Sequence, residues 1–186
     1  MPAFLIFIAL VTLGLTKRWP DLARLLALPA LFLCVVAGLT FPDIDQPLPL
    51  DHRSALTHSI APALLALARR WAWPIAGGLA LGLSLHLAAD VFPNAMIGFA
   101  TVKLPFAGSI GGNASYLWLA GNALACTALG GWILHRQVRA PLLRVASLCA
   151  VCLIGAVYLF GVDGGWPALA IYLGAGWFLL RRRCPA

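Results

Sequence analysis

Long apolar runs, broken by short polar or Pro/Gly-containing stretches, set the pattern of this chain. A helix needs roughly 20 apolar residues to cross the hydrocarbon core of a bilayer, with some tolerance for shorter runs. Reading for such runs predicts helices at 2–16, 24–41, 56–72, 74–92, 115–134, 142–161 and 166–180. The first, third and last are short, and Arg69 and Arg70 interrupt the third, so their side chains must snorkel to an interface. The pattern predicts an all-α, polytopic membrane bundle of about seven spans, folded as one domain over residues 1–186. The first run has the length of a signal-peptide core, but Lys17 and Arg18 follow it instead of preceding it, so a retained helix is expected.

Composition strengthens this reading. The chain is 62% hydrophobic and 10% charged, against about 25% charged in soluble domains. Eleven of its 13 basic residues fall in alternate connections: Lys17, Arg18 and Arg24; Arg69 and Arg70; Arg136, Arg139 and Arg144; and Arg181, Arg182 and Arg183. Only Arg53 and Lys103 are left for the other side. The positive-inside rule then predicts an outside amino terminus and a cytoplasmic carboxyl terminus. A net charge of +7 invites a nucleic-acid reading, but basic residues spaced as punctuation between apolar runs do not form a binding surface. The five cysteines, at 34, 126, 149, 152 and 184, lie mostly in apolar runs and read as packing residues.

The ionisable residues change the picture. All six acids are Asp, and three of them, with two of the four histidines, fall between Asp43 and His58 in FPDIDQPLPLDHRSALTHSI. The prolines at 42, 47 and 49 predict a stiff, extended loop, in which Asp43 and Asp45 point to one side. Two carboxylates aimed together repel unless a cation lies between them. Thr57 is the expected N-cap of the third helix, with His58 in its first turn, while His52 reaches the site from the loop. His86 and Asp90 are four residues apart near the end of the fourth span, hence on one helix face, and intramembrane ionisable groups are functional by default. Asp43, Asp45, His52, His58, His86 and Asp90 are therefore the candidate metal ligands, a donor set suiting zinc, manganese or iron better than calcium or magnesium.

These residues resemble the YdjM-like family of inner-membrane metal-dependent hydrolases. The resemblance is carried by PDID at 42–45, HRSALTHS at 52–59 and HLAAD at 86–90, followed by Gly98, Pro105 and Phe106, and it covers residues 41–106. It extends distantly to zinc-dependent phospholipase C and single-strand nucleases, helical proteins that gather His and Asp around metal ions. It implies metal or catalytic roles for the same six residues and an anion-binding role for Arg53. The commoner family form is HRG, one residue, then THS; the loop here is one residue longer and carries Ser54 in place of the glycine, which bears on the role of His52.

The expected chemistry is hydrolysis of a lipid-type phosphoester by metal-activated water, with Asp45 or Asp90 as general base and Arg53 clamping a phosphate oxygen. A phospholipid-like substrate is expected because a lipid enters a bundle laterally. Two rivals compete with this reading. One is a lipid amide or ester hydrolase similar to the seven-span zinc ceramidases, using Ser59 or Ser84, although their histidine pair four residues apart is missing. The other is a metal or proton transporter, or a membrane scaffold, which the crowding of ionisable groups at one end of the spans disfavours.

Overall fold

A computed structural model describes residues 1–183; Cys184 lies outside them. The chain is a helical bundle of α1 (Pro2–Thr16), α2 (Pro20–Gly38), α3 (Ala61–Leu67), α4 (Trp73–Asp90), α5 (Gly112–Gln137), α6 (Pro141–Gly161) and α7 (Gly165–Arg183). A two-stranded antiparallel hairpin, β1 (Lys103–Leu104) and β2 (Gly108–Ser109), interrupts the connection from α4 to α5. Prolines open α1, α2 and α6 within their first turn, where the missing N–H costs no helical bond.

Among the described residues four stretches are long and apolar enough to cross a membrane: Pro20–Gly38, Arg70–Asp90, Gly112–Gln137 and Pro141–Gly161. The expected third helix, 56–72, is not continuous. It reduces to the seven residues of α3 and a 3₁₀ turn at Arg70–Ala72, separated by Arg69 in an extended conformation. A seven-residue helix rises only about 10 Å. The chain still runs from His58, which touches Asp90 at one end of α4, to Trp73 at the other. That length of the bundle is covered by a short helix flanked by turns. Such irregular backbone is tolerated at membrane depth only where protein satisfies its polar groups. Here α5 does so: Asn122 Oδ1 accepts from the Ile60 N–H at 2.9 Å, and Trp118 Nε1 donates to the His58 carbonyl at 2.8 Å.

The centre of the bundle is α4. Of its most apolar stretch 89% is buried, against 33% for α2 and α5 and 22% for α6, so α2, α5, α6 and α7 wrap around it. Helices in lipid gain little from hydrophobic association and pack instead through small residues. Gly78 and Gly82 of α4 lie directly against the backbone of α2: a Cβ at Gly78 would meet the Leu31 carbonyl, and one at Gly82 would meet the Val35 carbonyl and the Cα of Gly38. This contact holds the end of α2, and the loop that follows it, beside His86. At the opposite end of the bundle Lys17, Arg24, Arg70 and Gln137 border one depression, so these basic residues gather away from the His/Asp residues.

Candidate metal centre

The loop leaving α2 is folded back at once. Residues Pro42–Asp45 form a 3₁₀ turn, not the extended loop expected, because proline at its first position is compatible with a helical turn. Residues two apart in such a turn diverge, and the two carboxylates separate accordingly. The Asp45 side chain is fully buried, whereas that of Asp43 is 43% exposed.

Asp45 organises the segment that follows. Its Oδ2 accepts from the Ser54 N–H at 2.9 Å and from Thr57 Oγ1 at 3.1 Å, and lies 3.2 Å from His58 Nδ1. Thr57 is therefore not the cap of α3, whose N-cap position is Ile60 and lacks a side-chain hydrogen bond; its hydroxyl turns to Asp45 and His58 instead. His58 precedes the helix and is completely buried.

The other half of the site is the last turn of α4. His86 Nδ1 is 2.8 Å from the Leu39 carbonyl and 3.0 Å from the Tyr158 hydroxyl. A carbonyl only accepts, so this network assigns the proton to Nδ1 and the lone pair to Nε2. Nε2 stands 3.4 Å from Asp90 Oδ2 and 3.9 Å from Asp43 Oδ1, while His58 Nε2 lies 3.3 Å from the same Asp90 oxygen. One ligand atom from each of His58, His86 and Asp90 lies within 4.8 Å of the other two.

Buried polar atoms in folded proteins are almost always hydrogen-bonded. Among the described residues the unpartnered ones are Asp45 Oδ1, His52 Nδ1, Arg53 Nε, His58 Nε2 and Asp90 Oδ2, all on residues singled out from the sequence. His58 Nε2 and Asp90 Oδ2 are close enough for an ion pair yet not aligned as a hydrogen bond. Two imidazole nitrogens and a carboxylate oxygen turned toward one another without mutual hydrogen bonds are a donor set that fits a divalent cation.

The electrostatics follow from this geometry. Burial alone would push the His58 pKa down, but the carboxylates of Asp45 and Asp90 on either side raise it above the ordinary imidazole value. Burial would raise the Asp45 pKa, and hydrogen bonds from His58, the Ser54 N–H and Thr57 reverse that, leaving it lowered. For His52 burial dominates, only partly offset by Asp45, and its pKa falls. A proton on His58 Nε2 competes with any metal there, and the raised pKa extends that competition toward neutral pH. Zinc affinity is therefore expected to fall steadily as the pH is lowered through the raised His58 pKa. Competition titrations between about pH 8 and pH 5 check this, and a flat affinity would contradict it.

Arg53 does not stand ready for a substrate anion as expected. It sits at φ 59°, buried, with Nη2 donating to Asp90 Oδ1 at 2.7 Å and Nη1 to the Ala100 carbonyl at 2.6 Å. A buried guanidinium takes a buried carboxylate as its partner to offset the desolvation of both, and here it fixes one oxygen of Asp90 and leaves the other facing the histidines. His52 lies at the rim, its Nδ1 4.0 Å from Asp45 Oδ1 and its ring stacked on Phe99 at 4.0 Å.

Compared with protein-family models, curated proteins and solved structures, the chain matches none. The family resemblance rests on the ordered motifs alone. The site also includes groups outside those motifs: the Leu39 carbonyl, Tyr158 of α6, and Trp118 and Asn122 of α5. The one signal for the last three was a hydrogen-bonding side chain inside an apolar run.

Proposed function

We propose that this chain is a membrane-embedded, metal-dependent hydrolase of a lipid-type phosphoester, with its site at the bundle end opposite the basic connections. The observation that carries this reading is the convergence of His58, His86 and Asp90 with unpartnered buried atoms at their meeting point. These three residues would hold the ion, zinc by preference and manganese or iron by the same donor types. When bound, a dication supplies Lewis-acid activation of water and of a phosphoryl oxygen.

The chain's own groups supply the rest. Asp45 holds the Nδ1 side of His58, and the Leu39 carbonyl that of His86, so both Nε2 atoms are turned inward beforehand. Arg53 does the same for Asp90. This leaves Asp45 an orienting residue, its Oδ2 already committed, and moves the base role to Asp43, the candidate carboxylate most open to water. The gathering of Lys17, Arg24 and Arg70 at the far end supports a site on the non-cytoplasmic side of a bacterial inner membrane. The serine-dependent alternative has less to stand on, because Ser59 Oγ donates to the Leu56 carbonyl at 3.1 Å and Ser84 Oγ to the Leu81 carbonyl at 2.7 Å.

The test is incubation of the purified full chain, in detergent–lipid micelles with zinc, with phospholipids and with ceramides. Metal-dependent release of phosphate or a phosphorylated head group is expected. Fatty acid release alone would favour the amide or ester hydrolase, and no release under chelator-reversible metal loading would remove the hydrolase reading.

A further inference from the structure

The connection between α4 and α5 is unlike a loop that faces water. From Asn94 to Gly111 it contains no acid and one charge, Lys103. It exposes Ile97 at 73%, Phe99 at 71% and Phe106 completely. The hairpin register pairs Lys103 with Ser109 and Leu104 with Gly108, which puts Pro105, Phe106 and Ala107 at its tip. Phe106 sits there at φ 65°, a conformation uncommon for any residue but glycine and rarer still for a bulky one. Its ring gains no packing within the chain in return. The Pro105–Phe106 pair, noticeable already in the sequence, takes no part in the metal centre.

Both flanking helices are long and apolar enough to cross a membrane, so their connection emerges at the bilayer surface. Aromatic and aliphatic side chains beside a lysine, in a segment that carries no acid of its own, are what an element lying in the interface presents. We propose that the 97–106 segment is an interfacial anchor, its Phe106 tip dipping into the lipid and Lys103, whose Nζ donates to the Phe99 carbonyl at 2.7 Å, holding a positive charge at head-group level. The anchor is joined directly to the site: the Lys103 N–H donates to the Arg53 carbonyl at 3.0 Å, the Ala55 N–H donates to the Lys103 carbonyl at 2.8 Å, and Phe99 covers His52. It therefore fixes the depth of the metal centre at the plane where lipid head groups lie. This inference rests on the membrane reading of the bundle and not on the hydrolase reading.

Photo-crosslinking separates the two. The full chain carrying Phe106→p-benzoylphenylalanine is placed in vesicles of phosphatidylcholine and phosphatidylglycerol and irradiated. A parallel sample carries the probe at Leu153, a 66% exposed residue of α6. A second loop probe replaces Ile97. Lipid adducts at 106, and at 97 in support, are expected in yields within about threefold of those at 153. An adduct yield at 106 below about a tenth of that at 153 would overturn the anchor. So would adducts at 106 that join only to protein.

Discussion

Replacing His86 with alanine is expected to cost more than about 100-fold in zinc affinity and at least about 1,000-fold in turnover on the substrate found. The side chain contributes an inward Nε2 beside Asp90, and its other nitrogen is tied to the Leu39 carbonyl, so no neighbouring group can replace it. Losing a ligand and losing its support differ in size. Tyr158→Phe removes one contact to Nδ1 while the Leu39 carbonyl still holds the ring, and should cost about tenfold or less in affinity. Metal content of the purified variants, read beside their thermal unfolding, separates ligand loss from misfolding. Wild-type metal content in His86→Ala, in a folded protein, would remove this residue from the centre.

The clustering of the His and Asp side chains was legible in the sequence because charge is rare in it. In a chain with six acids and four histidines, the cost of placing such groups in an apolar bundle is itself a signal. The structure brings together the loop after α2 and the end of α4, as the two motifs suggested. Local geometry was less legible. Proline at 42 is compatible with both an extended loop and the first position of a 3₁₀ turn, and the turn wins because it buries Asp45 against the Ser54 N–H and Thr57. Thr57 has the composition of a cap, yet the same hydroxyl serves a buried carboxylate instead.

Arg53 shows a second limit. An exposed loop arginine is a fair candidate for an anion clamp, but whether it is exposed depends on the partner 37 residues later, Asp90. The support for His86 was not legible at all: one partner is a backbone carbonyl, which has no letter in the sequence, and the other is a tyrosine on a different helix. The bundle itself was readable from apolar run length. The form of the third helix was not, because run length cannot tell a continuous helix from a seven-residue helix carried between turns whose backbone groups are satisfied by Trp118 and Asn122.

Gly82→Val is expected to destabilise the bundle by about 3 kcal/mol and to weaken zinc binding, although Gly82 is not among the atoms that would touch the ion. A Cβ there would stand 2.7 Å from the Cα of Gly38 and closer still to the Val35 carbonyl. Both obstacles are backbone, which cannot rotate away as a side chain can, so α2 must withdraw from α4. The end of α2 leads into Leu39, whose carbonyl holds His86, and then into Asp43 and Asp45. Withdrawal therefore loosens the orientation of His86 and opens the gap between Asp45 and His58 at the same time. Gly121→Val in α5 is the matched control, since a Cβ there meets nothing within 4 Å, and it should leave zinc binding unchanged. Thermal unfolding and zinc titration of the two variants side by side decide the matter. Equal behaviour would mean that the close approach of α2 to α4 is not what positions the His/Asp cluster, and that the loop holds its geometry through Asp45 alone.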